Sequence, residues 1–256
     1  MIVLDRLNKR FGSLSAVTDL DLEIQAGELF GFLGPNGAGK TTTIRLMTGL
    51  LRPTSGRVLI GGHDVQTQPV KAKALLGYVP DEASLYEKLT GREFLLFMAD
   101  LYRVDGPGRQ QRMDRLLDLL GMTERAGDII QSYSRGMRQK IALAGALVHD
   151  PRLLVMDEPT VGLDPRSARA LKDLLRDLSA KGVTVFLSTH VLEIAERMCT
   201  RIAIIDRGRL VASGTMAELR AAARQAGATL EDIFLKLTGE PEHTELARQL
   251  DGEAGP

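Results

Sequence analysis

The chain has 256 residues, 33 Lys and Arg against 33 Asp and Glu, one Cys, no Trp and 4% aromatic residues. This composition excludes collagen-like, disordered and disulfide-rich classes, and the zero formal charge gives no long-range field that would gather nucleic acid or acidic lipid. A chain of this size buries roughly 70–75% of its unfolded surface, so it needs no metal or disulfide staple, and the lone Cys199 fits a reducing, cytoplasmic setting.

At the N-terminus, Asp5 and Arg6 interrupt the apolar run a signal peptide would need. No later run approaches the roughly 18 apolar residues that cross a bilayer, so the chain is expected to be soluble. In TDLDLEI, Leu20, Leu22 and Ile24 alternate with acids, the period of a strand wet on one face. LFGFL, Leu29 to Leu33, is a continuous apolar run and predicts a strand covered on both faces. A Gly-rich segment follows, then a helix with Ile44, Met47 and Leu51 on one side, stopped by Pro53.

The middle of the chain, 85 to 150, changes to helical periodicity. Thr90 and Glu93 form a capping box for a helix that places Leu95, Met98 and Tyr102 on one stripe, and Met113, Leu116, Leu117 and Leu120 mark a second helix. A third runs from Arg135 to Val148, with Ser134 as N-cap and Pro151 beyond its end. LLVM at 153–156 and VTVFL at 183–187 are buried strands separated by a helix around Ser167 to Leu178, so a parallel sheet is implied. Ile202 to Ile205 and Leu210 to Ala212 read as an edge hairpin, and the acid-rich stretch from Thr238 as a loose tail. The expected organisation is an α/β core over 1–84 and 151–220, a helical subdomain over 85–150 and an extension over 221–256.

Gly34-Pro35-Asn36-Gly37-Ala38-Gly39-Lys40-Thr41 matches the phosphate-loop pattern G-x-x-x-x-G-K-[ST]. Its glycines let backbone N–H groups curl around phosphate oxygens, Lys40 adds a point charge and the Thr41 hydroxyl is a Mg²⁺ ligand. Asp157 and Glu158 end an apolar strand, and in an open parallel sheet ligands bind beyond such strand ends. Asp157 there can hold Mg²⁺, directly or through water, and Glu158 can accept a proton from an attacking water. His190 follows another apolar strand and reaches the same edge; His63, His149 and His243 have no such placement and read as structural or solvated. Ser134 and Gly136 begin a helix; read locally, the serine is an N-cap.

Taken together, these segments resemble the nucleotide-binding subunit of ATP-binding cassette transporters over residues 1 to 235, in the bacterial exporter type with separate membrane proteins. The phosphate loop, the signature segment Tyr133 to Met137, the acid strand Leu153 to Glu158, the D-loop Val161 to Asp164 and the switch histidine His190 stand in the family order. The resemblance implies a phosphate-loop α/β fold with an antiparallel β subdomain and a helical insert. It implies two copies paired head to tail around ATP and Mg²⁺, with Ser134, Arg135 and Gly136 of one near the γ-phosphate of the other. It also implies Phe11 on the adenine, Thr42 on the α-phosphate, Asp164 between the sites, and integral membrane permease subunits that hold the chain to the inner membrane face; no nucleic acid is expected. Two positions depart from the family. The signature is Tyr-Ser-Arg-Gly-Met where Leu-Ser-Gly-Gly-Gln is usual, and Asp81 stands where Gln is usual. A soluble cassette ATPase serving assembly or regulation is the alternative; a guanine-reading Asn-Lys-x-Asp is absent.

Overall fold

Chain order follows the alternation of patterns in the sequence, in a computed structural model that describes residues 1–160, 163–223 and 227–238. β1 (Ile2–Phe11) and β2 (Leu14–Ile24) form an antiparallel pair; β3 (Leu29–Leu33) and α1 (Lys40–Met47) flank the glycine loop. β4 (Ser55–Ile60) pairs with β1 and with β5 (His63–Asp64), and α2 (Pro69–Ala74) leads to β6 (Leu76–Val79). Three helices follow, α3 (Gly91–Leu101), α4 (Gly108–Leu119) and α5 (Arg135–Leu147), with two short 3₁₀ turns between the last two. The chain then returns through β7 (Leu153–Asp157), α6 (Pro165–Ala180), β8 (Thr184–Thr189), α7 (Leu192–Met198), β9 (Arg201–Asp206) and β10 (Arg209–Gly214), ending in α8 (Met216–Ala222) and α9 (Leu230–Thr238).

Two sheets result. The antiparallel sheet has the order β2-β1-β4-β5, and the larger has the order β10-β9-β3-β8-β7-β6, parallel except at β10. In β2 the predicted alternation holds: Leu20, Leu22 and Ile24 are buried and Asp19, Asp21 and Glu23 exposed. The strands β3, β7 and β8 are buried at every position because both faces are covered. Phe30, Phe32, Leu153, Val155 and Phe186 point into the core shared with the antiparallel sheet and α1, while Leu29, Leu154, Met156, Val185 and Leu187 point into the core shared with α5 and α6. A third core belongs to the helical insert, where Phe94, Leu95, Met113, Leu117, Ile141 and Ala144 meet.

The capping box at Thr90 and Glu93 forms as read from sequence. Three readings are revised. The first helix ends at Met47 rather than reaching Leu51, because Gly49 takes the left-handed conformation at φ 69° and stops it a turn before Pro53. Of the two hairpin strands β9 and β10, β10 alone lies at the sheet edge, since β9 also pairs with β3. Tyr102 caps α3 and stacks on His149 with ring centroids 3.6 Å apart. The acidic stretch beyond Thr238, with His243, lies outside the described residues, as do Val161 and Gly162.

Candidate functional site

The strand order decides the site. Four neighbouring parallel strands, β3, β8, β7 and β6, end on the same side, and each carries one predicted segment past its end: Gly34 to Thr41, His190, Asp157 with Glu158, and Asp81. Between them and the antiparallel sheet lies a cleft of about 550 Å³ lined by Phe11, Asn36, Lys40, Thr41, Asp81 and Glu158, among others. Pro35, Gly37, Gly39 and Thr42 also face it.

Backbone crowding explains the loop glycines. Gly39 sits at φ 104°, and a Cβ there would lie 2.5 Å from the Ala16 carbonyl oxygen; at Gly34 it would lie 2.4 Å from that of Ile205. The turn after β9 closes on the same point: Gly208 donates its N–H to the Ala38 carbonyl at 2.9 Å and accepts from Thr18 at 2.8 Å. α1 starts without a side-chain cap, and among the described residues no main-chain acceptor faces the N–H groups of Lys40, Thr41 and Thr42. Lys40 is 7% exposed, and its ammonium donates to the Gly34 carbonyl at 2.7 Å and stands 3.7 Å from Glu158 Oε1.

The two carboxylates differ in surroundings. Asp157, 3% exposed, accepts a hydrogen bond from the Ser188 hydroxyl on the adjoining strand. The same Ser188 accepts from the Glu158 N–H twice, through its hydroxyl and its carbonyl, each at 3.1 Å. Glu158 takes a left-handed φ of 48°, which turns its side chain out of the strand line toward Lys40 and His190. His190 Nδ1 lies 2.9 Å from Glu158 Oε2, and its main-chain N–H donates to the same oxygen at 3.3 Å.

The remaining predicted residues divide. Phe11 is half-exposed at the cleft wall, with the Lys9 ammonium 4.9 Å from its ring centroid. Ser134 caps α5, its hydroxyl accepting from Met137 N–H at 3.3 Å. Asp164 caps α6, accepting from the N–H groups of Arg166 and Ser167 at 3.0 Å; the Ser167 hydroxyl, then these N–H groups, hold its carboxyl below the usual range. Arg135 does not stand free: its guanidinium pairs with Asp81 of the same chain at 3.4 Å. Burial, then Asp157 and Glu158, push the Asp81 carboxyl upward, against the opposing pull of Arg135.

An anionic phosphate fits this cradle, because uncapped helix N–H groups and a buried ammonium point to one loop whose glycines leave room for close backbone approach. Magnesium also fits: it is held through one or two carboxylates with substrate phosphates and water, and Thr41 and Asp157 offer a hydroxyl and a carboxylate oxygen of that kind. Two participants escaped the sequence reading. Ser188, which holds both acids, stands two residues before His190 and reads there only as the end of a strand. Gly208, which grips the loop, reads as an ordinary turn glycine.

Comparison with known proteins gives a consistent set of likenesses. A family model described as ABC transporter matches residues 17–161. The linearmycin resistance ATP-binding protein of Bacillus subtilis is 40% identical over 219 residues, covering 86% of this chain and 70% of its own length. The daunorubicin resistance ATP-binding protein of Streptomyces coeruleorubidus is 38% identical over 239 residues, 93% of this chain and 75% of its own. Among solved structures, an ATP-binding subunit of an ABC transporter superposes with a TM-score of 0.89 at 32% identity, covering 93% of this chain and 99% of that one. A dimeric ATP-binding cassette in a post-hydrolysis state with ADP and phosphate gives 0.78 at 26% identity, covering 84% and 99%.

Proposed function

Because the chain belongs to the ABC transporter family and is an ATP-binding, ATP-hydrolysing transporter subunit, we propose that its working unit is a head-to-tail pair of copies enclosing two Mg-ATP. The convergence of Lys40, Glu158 and His190 from adjacent strands supports this reading most directly. Lys40 and the N–H groups of the loop from Gly34 to Thr41 hold the β- and γ-phosphates, Thr42 reaches the α-phosphate, and Phe11 stacks on adenine. Thr41 and Asp157 hold magnesium, which when bound neutralises charge on the phosphate oxygens. Glu158 orients and polarises the attacking water, and His190 fixes the Glu158 carboxylate while reaching toward the γ-phosphate.

Among the described residues, nothing requires glycine at 136. A Cβ there would make only an ordinary 3.7 Å contact with Leu163, yet glycine costs a helix about 1 kcal/mol relative to alanine. That supports a role for Ser134 and Gly136 against a second copy, beside Asp164 at the start of the next helix. A groove of about 600 Å³ beside Asp81 and Leu85, flanked by the exposed pair Tyr86 and Phe97, is the surface we assign to a membrane permease. No described helix is long and apolar enough to cross a membrane. The permease would place the chain peripherally on the cytoplasmic membrane face. Relatives named for resistance to linearmycin and daunorubicin favour export of small molecules over soluble assembly or regulation.

The test is Glu158→Gln in the full chain. Turnover is expected to vanish while Mg-ATP converts the chain to a dimer in size-exclusion chromatography; monomer elution at saturating Mg-ATP would sink the paired mechanism.

A further inference from the structure

Asp81 and Arg135 are the two charged departures from the family pattern, and the structure brings them together. Asp81 follows β6 and lines both the ATP cleft and the permease groove. Arg135 opens α5 directly after the signature Ser134 and lines the groove. Their contact, 3.4 Å between residues 54 positions apart, runs from the sheet core to the helical insert. One turn further along α5, Arg138 pairs with Glu87 at 2.5 Å, so two bridges join the loop after β6 to this helix.

We propose that Arg135 is a positioning residue with two alternative anionic partners: the Asp81 carboxylate of its own chain, and the phosphates of nucleotide held by a second copy. This rests on the head-to-tail reading above. In the separate chain Arg135 tethers the signature end of α5 to the loop carrying Asp81. In the pair, a triphosphate presents several oxygens to the same guanidinium and outcompetes one half-exposed carboxylate. Asp81, freed from Arg135, is then left facing Asp157 and Glu158 at the edge of the ATP cleft, and its loop lines the permease groove as well. Closure of the pair and release of the groove loop thereby become one event. Arg138 and Glu87 retain the helix while the first bridge exchanges.

The experiment measures the Mg-ATP concentration that half-dimerises the full chain carrying Glu158→Gln. Adding Asp81→Asn is expected to lower that concentration about two- to five-fold, the size of an exposed ion pair. In a chain that also carries Arg135→Ala, the same Asp81→Asn change is expected to do nothing, whereas with Arg135→Lys a charge remains and part of the shift returns. Simple repulsion between Asp81 and its own phosphates would act equally without Arg135. An equal Asp81→Asn shift in both backgrounds, or none in either, therefore overturns the exchange. Glu87→Gln is expected to leave the midpoint within two-fold of its parent; a shift as large as that of Asp81→Asn would mean general loosening of the insert and also overturns it. Failure of the Glu158→Gln parent to dimerise with ATP rejects the head-to-tail reading and the exchange together, while dimerisation of the parent with uncoupled effects in the variants rejects the exchange alone.

Discussion

Glu158 and His190 leave neighbouring strands, β7 and β8, and meet at 2.9 Å. A carboxylate only accepts, so the Nδ1 that faces it donates, and Nε2 is turned away from Glu158. Removing the ring in His190→Ala is expected to lower kcat about 100-fold or more, within the usual range for a lost acid–base or orienting group, while ATP affinity changes less than about three-fold. His190→Gln, whose amide can still donate to the carboxylate, should lose less. Phosphate release and nucleotide binding, measured separately, check the split.

Ser188 is the joint between the two acids, so Ser188→Ala strips a buried carboxylate of its donor and the Glu158 N–H of one of its two acceptors. Leaving such groups short of partners costs about 1–3 kcal/mol. For a chain of this size the melting temperature should fall by roughly 2–10 °C. Thermal unfolding by circular dichroism reads this directly. Ser188→Cys, with a weaker donor of similar shape, should fall between alanine and the native residue.

The phosphate-loop glycines are unequal. Gly39→Ala drives a Cβ to 2.5 Å from the Ala16 carbonyl oxygen at a φ of 104°, whereas Gly37, at φ 81°, has open space around it. Gly37→Ala therefore meets only the left-handed backbone cost of about 1–2 kcal/mol. Gly39→Ala must also displace β2, and should abolish nucleotide binding with a larger loss of stability. Denaturant midpoints and ATP titration of the two variants provide the comparison.

His149 predicts an acid-side stability slope. Its Nε2 lies 3.1 Å from the Leu76 carbonyl oxygen, its ring stacks on Tyr102, and burial holds its pKa down to about 4. The unfolded chain takes up this proton near pH 6.5 and the folded chain does not. The contribution is therefore complete above about pH 6.5 and is lost as pH falls toward about 4, by about 2 kcal/mol once partial exposure is allowed for. His149→Phe keeps the stack and loses the hydrogen bond. Its melting temperature should be lower at pH 7.5 and should decline less steeply between pH 6.5 and 4.

What the sequence made legible was whatever is local. The apolar runs of β3, β7 and β8, the Thr90 box and the glycine loop each bear their meaning within about ten residues. The Leu51 overshoot arose because apolar periodicity continued past Gly49, whose left-handed backbone ends the helix regardless. Ser188 with Asp157, Gly208 with Ala38, and Asp81 with Arg135 were illegible for a different reason. Each pair is brought together by the order β9-β3-β8-β7-β6 or by the seating of the helical insert, neither of which any short segment encodes.

α5 belongs to two cores at once: Leu143 and Leu147 pack with the sheet, and Ile141, Ala144 and Val148 with the helical insert. Its 13 residues make a rod of about 20 Å, anchored at the far end beside β6 and ending at Ser134. A tilt of about 10° at the anchored end would swing Ser134 through roughly 3 Å, the span of one hydrogen bond. Under the proposed pairing, a modest turn where the helical insert meets the sheet would thus carry Ser134 into or out of reach of a second copy's phosphate, with no segment needing to refold.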